Sequence, residues 1–253
     1  MSGRVFIAFT LVLFAAATPA LAIKPYTLVE DGYPDPVGQL ELENTFETDF
    51  HTRDDSGFKQ FSMENELEYQ FNDQFNLRVK AAYFYEDSAE NTGMHFDAAG
   101  IEAQYYFTNS NVDPLGISVI VAAEAGEQTL NFESFLILQK DWDHWTATYN
   151  LGLATEIDGV FTDSGSTDTT GTLTNALGAV YNLTPTVRAG GEIAVESLYH
   201  DWSSYDGTSV WAGPVVNWVP NSRLWMTAGF NFQLTDTADE PDYRFTLIVG
   251  YFF

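Results

Sequence analysis

Cysteine is absent from this 253-residue chain, and basic side chains are scarce: 10 Lys+Arg stand against 36 Asp+Glu. Without cysteine there is no disulfide scaffold, no thiolate metal site and no cysteine nucleophile. The net charge of −26 excludes nucleic acid as a partner, because a phosphate backbone needs a cationic surface. After residue 22 no apolar run approaches the roughly 20 residues of a spanning helix. P-loop, Rossmann and zinc-ligand spacings are also missing, so no cofactor is implied. Acidity can accompany disorder, but a chain that is 45% hydrophobic and 15% aromatic can bury enough apolar surface to fold.

Residues 1–22 read as a secretory signal. Arg4 supplies the basic end, Val5 to Ala17 the short apolar core, and Ala20-Leu21-Ala22 a small-residue cleavage site. Cleavage after Ala22 removes Arg4 and leaves 9 bases against 36 acids. The expected mature chain is one domain over 23–253, with 23–38 as a short periplasmic lead.

The mature chain alternates between apolar and polar with a period of two. In Gln60–Phe71 one face carries Phe61, Met63, Leu67, Tyr69 and Phe71, and the other Gln60, Ser62, Glu64, Glu66, Glu68 and Gln70. Three glutamates on alternate positions fill a soluble core poorly, but they suit a wall facing water while the opposite wall faces lipid. The pattern recurs at about 39–50, 60–71, 75–86, 95–107, 116–125, 129–139, 145–156, 172–183, 186–197, 208–219, 224–234 and 243–253. Twelve such strands predict an all-β, antiparallel, up-and-down transmembrane barrel of the bacterial outer membrane. A soluble sandwich would not need so wide a polar face on nearly every strand.

The connections alternate in character. Asn72–Gln74, Thr108–Leu115, Lys140–His144, Thr184-Pro185 and Pro220–Arg223 read as periplasmic turns. Asp87–Met94, Ile157–Gly171, Leu198–Gly207 and Thr235–Asp242 read as longer polar external loops. Aromatic residues gather at both strand ends, as interfacial girdles require. Among them are Phe71, Tyr105, Trp145 and Tyr251 on the inner side, and Phe50, Tyr83, Tyr85, Phe232 and Tyr243 on the outer.

The ending Tyr243-Arg-Phe-Thr-Leu-Ile-Val-Gly-Tyr-Phe-Phe253 resembles the last strand of bacterial outer-membrane proteins. That resemblance implies recognition of Phe253 by the barrel assembly machinery, with outer-membrane lipid and lipopolysaccharide as surroundings. In the middle of the chain, Asn131–Lys140, Tyr149-Asn150-Leu151, Gly190-Gly191-Glu192 and Gly213-Pro214 resemble the MetA-pathway of phenol degradation family. Those proteins are porin-like barrels linked to transport of small compounds, so the resemblance implies a channel and a small-molecule solute.

Parity predicts the lining of the interior. Its expected members are Glu41, Glu43, Glu47, Glu64, Glu66, Glu68, Arg78, Lys80, Glu102, Glu124, Glu133, Arg188, Glu192 and Arg244. An acidic, water-filled conduit would favour cations or neutral solutes. A polar core that merely fills a narrow barrel is the other reading, since twelve strands lie between filled and open barrels. The turn at Asn72–Gln74 places Glu68 opposite Arg78 and Glu66 opposite Lys80, as ion pairs, and closure brings Arg244 near Glu47 or Asp49. Glu41, Glu43 and Glu102 are left without basic partners and become candidates for solute or cation contacts.

An enzyme is the rival class, although no catalytic residue is assigned. Of His51, His95, His144 and His200, only Tyr199-His200-Asp201 offers an acid beside the imidazole, and neighbours on a strand point apart. Asp158, Asp163 and Asp168 make the 157–171 loop acidic, but without the spacing of a calcium loop. The alternative functions are therefore a structural or adhesive barrel, or a hydrolase with a rim site.

Overall fold

The computed structural model describes residues 24–87, 92–160, 162, 167–235, 237 and 240–253. The signal and its cleavage site lie outside them. Twelve strands follow one another: β1 (Leu40–Thr52), β2 (Lys59–Asn72), β3 (Phe75–Asp87), β4 (Thr92–Thr108), β5 (Gly116–Gly126), β6 (Thr129–Trp142), β7 (Trp145–Asp158), β8 (Asp168–Thr184), β9 (Val187–His200), β10 (Ser204–Asn221), β11 (Leu224–Gln233) and β12 (Pro241–Phe252). Each pairs antiparallel with its neighbours in sequence, and β12 returns to β1, so the barrel is closed and has no free edge.

The alternation sets the two faces. Phe61, Leu67, Val79, Ile101, Val121, Leu153, Leu177, Val216 and Phe245 are exposed on the outer wall, while Glu66, Glu68, Gln70, Asn76, Arg78, Glu102 and Gln104 are buried on the inner one. Rings cluster where girdles are expected. Tyr69–Phe71, Tyr105–Phe107, Trp145–Tyr181 and Tyr251–Phe253 lie toward the end where β1 begins and β12 ends, here called the terminal end. Phe50–Tyr243, Tyr83–Phe96 and Phe230–Phe232 lie toward the opposite, loop end.

Several boundaries differ from the pattern-based expectation. The expected 198–207 loop is a tight hairpin: β9 runs to His200, β10 starts at Ser204, and the turn uses left-handed Asp201 (φ 49°) and Trp202 (φ 56°). Trp202 stacks on Tyr199 at 5.6 Å and donates Nε1–H to Thr155 at 3.0 Å, which holds the indole residue in a left-handed conformation that Asp adopts readily and bulky residues rarely do. The expected Lys140–His144 turn contracts in the same way, with Trp142 paired to Trp145 across Asp143 (φ 38°) and His144. In β4 the register passes from Ala81↔Ala99 to Tyr83↔Phe96. This bulge reverses the parity, so Asp97 turns inward and Phe96 outward.

The largest departure is at the start. The expected 23–38 lead does not hang from the barrel: residues 24–35 fold inside it, and residues 36–38 are exposed where it leaves. Tyr26 is fully buried, and the segment bonds to inner-wall residues of β6, β7, β9 and β11 before leaving at the terminal end, where Gly38 donates to the Gln70 carbonyl.

Candidate functional site

The inner segment is held by side chains that convert its non-repetitive backbone into satisfied hydrogen bonds. Glu192 on β9 accepts from the backbone N–H of Thr27 (2.9 Å) and Leu28 (2.8 Å) and from the Thr27 hydroxyl. Asn150 accepts from Glu30 N–H (2.6 Å) and donates to the Glu30 carbonyl (2.9 Å), a two-way clasp. Gln139 accepts from Gly32 N–H at 2.9 Å, and Thr227 donates to the Lys24 carbonyl at 2.5 Å. Tyr33 donates its hydroxyl to Asp141 at 2.5 Å. Asp31 accepts from Tyr33 N–H at 2.9 Å, yet burial pushes its carboxyl up to about 6.

Apolar packing completes the seat. Tyr26 and Val29 join inward-facing Ala176, Val180, Ala194, Trp211 and Val215 in one buried cluster. Gly178 lies directly beneath the Tyr26 ring, so a Cβ there would strike it, and Gly229 makes the same room for Thr27. The interior is thus two-sided. Charge is densest on β1 to β6, with Glu192 on β9 and Arg244 on β12 besides, and β8 to β10 otherwise offer small and apolar residues where the segment leans. A sequence reading that assigns parity from charged residues alone misses this apolar side. Its available signal was Tyr26, Val29 and Tyr33, apolar surface that a solvated lead does not need.

The charged wall centres on Arg78. Its guanidinium meets Glu68 at 2.8 Å, Glu102 at 2.5 Å, Glu66 at 3.7 Å and Glu30 of the inner segment at 3.8 Å, and donates to Gln104 at 2.8 Å. Glu68–Arg78 therefore pairs as the register predicts. Glu66 stands opposite Lys80 in the ladder, but Lys80 turns away to Glu124 (2.5 Å) and Glu102 (3.7 Å) on the next strands. A long side chain on a concave wall reaches across strands as well as along the ladder, so opposed position does not dictate the pair. Two glutamates expected to lack bases have them: Glu102 takes Arg78 and Lys80, and Glu43 takes Lys24 at 3.7 Å. Glu41 instead accepts from Trp225 Nε1–H.

Toward the loop end, Arg244 binds Asp49 through two hydrogen bonds (2.9 and 3.1 Å) and Glu47 at 3.3 Å, and lies 4.6 Å over the Trp211 ring. This meets the closure expectation. Beside it lies a cavity of about 350 Å³ lined by Glu47, Asp49, Glu64, Asp97 and Arg244 among others, four acids to one base. Glu133 lies farther round, bonded by Asn131 at 2.8 Å. Arg188 lies at the terminal end, beside His144, Asn182 and Thr184.

At the loop rim His200 does approach acids. Its Nδ1 is 3.6 Å from Asp168 and its Nε2 3.3 Å from Asp201, because the left-handed turn folds Asp201 back. All three are exposed, and among the described residues no serine or threonine hydroxyl bonds the ring. Asp168 pairs with Asp158 across β7 and β8 and so is a strand residue, while Asp163 lies outside the described residues.

The architecture has solved counterparts. The COG4313 outer membrane channel from Pseudomonas putida F1 is 15% identical with a TM-score of 0.66, over 88% of this chain and 98% of that one. The translocator domain of autotransporter NalP from Neisseria meningitidis is 9% identical with a TM-score of 0.59, over 87% and 90%. The NanC porin is 7% identical with a TM-score of 0.56, over 83% and 97%. These likenesses show the shared fold. No curated protein sequence matches. A family model described as "Family of unknown function (DUF6662)" matches residues 26–244.

Proposed function

The chain belongs to the family of unknown function DUF6662, and we propose that it is an outer-membrane channel for small cationic or neutral solutes, gated by its own N-terminal segment. The observation that carries this reading is the combination of an outer wall of exposed apolar side chains with an acidic cavity inside. An apolar belt of that extent is stable against lipid and costly against water. An acidic cavity in a low-dielectric wall concentrates cations and repels anions. The four acids around Arg244 form the loop-side vestibule, and the inner segment bars the terminal half.

Passage requires the segment to move. Its neutral hydrogen bonds are worth about 1 kcal/mol net each and those to the Glu192 carboxylate about 1.5–3, and one apolar cluster and the pairs Lys24–Glu43 and Arg78–Glu30 add to them, so the seated state is the dominant one. Similarity to the Pseudomonas putida channel supports conduction over a purely structural barrel. The finer likeness to the MetA-pathway of phenol degradation family, carried by stretches such as Asn131–Lys140, points to small organic compounds as cargo. Export by the 1–22 signal and assembly through Phe253 complete the proposal.

The deciding measurement is conductance of the purified protein in a planar bilayer under a salt gradient. We expect discrete currents with a cation-selective reversal potential. Glu47→Gln with Glu64→Gln should move that potential toward zero. Absence of current, or unchanged selectivity in the double variant, would defeat the channel or the acidic-vestibule mechanism respectively.

A further inference from the structure

Where the inner segment leaves the barrel, three carboxylates from three parts of the chain converge: Asp35 of the segment, Glu41 of β1 and Glu68 of β2. One oxygen from each lies within 4.8 Å of the others. All three are buried, at 7%, 5% and 8% exposure. They line a cavity of about 20 Å³, room for a single water-sized occupant.

The nearby bases do not balance this charge. Lys24 is engaged with Glu30 at 3.2 Å and Glu43 at 3.7 Å. Arg78 reaches Glu68 but is shared with Glu66, Glu102 and Glu30. Glu41 has only the Trp225 indole N–H, and neither it nor Asp35 has an ion pair among the described residues. A second observation is independent of the clustering: Asp35 Oδ1 is buried without any hydrogen-bond partner, in a residue that lines the cavity. A buried carboxylate oxygen left unbonded is costly unless something else meets it.

We propose that Asp35, Glu41 and Glu68 form a divalent-cation site, selective for a hard ion such as Ca²⁺, that clips the inner segment to the barrel wall. The distances allow one shared ion: oxygens each about 2.4 Å from a Ca²⁺ stand at most about 4.8 Å apart, and these three lie within that limit of one another. The donor set is all oxygen, with no imidazole or thiolate, which favours Ca²⁺ or Mg²⁺ over zinc. Pro34 and Pro36 flank Asp35 and limit its backbone, so little freedom is lost on binding. The ion joins residue 35 to residues 41 and 68 and thereby holds the exit of the segment, whether or not the barrel conducts.

Terbium luminescence tests this on the full mature chain in detergent, with Trp225, hydrogen-bonded to Glu41, as the built-in sensitiser. Tb³⁺ should give tryptophan-sensitised emission that saturates at one ion per chain and is competed away by Ca²⁺. Asp35→Asn should weaken the affinity by about tenfold or more, and Trp225→Phe should remove the sensitised emission. Should Asp35→Asn fail to fold, Glu41→Gln makes the same prediction. No Ca²⁺-competed emission from the wild type would overturn the proposal and mean that the trio shares protons. So would emission that persists in Asp35→Asn or Glu41→Gln and is lost in Trp202→Phe, because the ion would then sit at the rim near Asp168, His200 and Asp201.

Discussion

Arg78 shows how much one side chain can organise. It is a buried cation facing Glu66, Glu68 and Glu102 on the wall and Glu30 on the inner segment. Replacing such a pair by apolar residues can be neutral, but removing one partner strands the others in a poorly solvated interior. Arg78→Ala should therefore cost on the order of 3 kcal/mol, seen as a lower urea midpoint by tryptophan fluorescence. Arg78→Lys should fall between, since an ammonium keeps the charge but has three donors at one point in place of the guanidinium's five in a planar fork. Asp31 makes a different prediction. Its carboxyl lies at about 6 in the seated segment against an ordinary 3.8, so proton binding favours seating. That contribution is complete below about pH 4 and is lost as pH rises through about 6. Currents should accordingly be larger at about pH 7.5 than at about pH 5, and Asp31→Asn should reduce the difference. An equal pH response in that variant would place the sensitivity elsewhere.

At the scale of elements, the inner segment and β8 fit by subtraction: the wall has no side chain where the Tyr26 ring lies. Gly178→Leu puts a side chain into that space. The segment should be expelled while the hydrogen-bonded strands persist, giving larger conductance with unchanged β-sheet circular dichroism. A variant with wild-type conductance would show that the segment does not bar the path. The hairpins explain which element boundaries were legible. Asn72-Asp73-Gln74 is rich in turn-forming residues and its bounds are read closely from sequence. The 201–203 turn relies on left-handed Asp201 and Trp202, held by Tyr199 and Thr155, and Thr155 is 47 residues away from the indole it anchors. The sequence places a connection within 198–207, but the tightness of the turn depends on that distant partner and has no local signal.

For the whole molecule, closure of β1 on β12 distributes the acids over one enclosed surface, so a charge unremarkable on an open protein becomes a field across a lumen. The amino-acid sequence by itself determined the twelve strands, their inner and outer faces up to the bulge in β4, the β2–β3 register and the closure that brings Arg244 near Glu47 or Asp49. The reason is that β-structure has a period of two and a neighbour-to-neighbour topology, so adjacent residues carry the information. Only the tertiary structure decided that residues 24–35 enter the barrel, that Lys80 bonds Glu124 rather than Glu66, and that Asp35 meets Glu41 and Glu68. The inner segment has no period to read, and the partners of Thr27, Glu30 and Gly32 lie more than 100 residues away. Their meeting exists only once the sheet has closed around them.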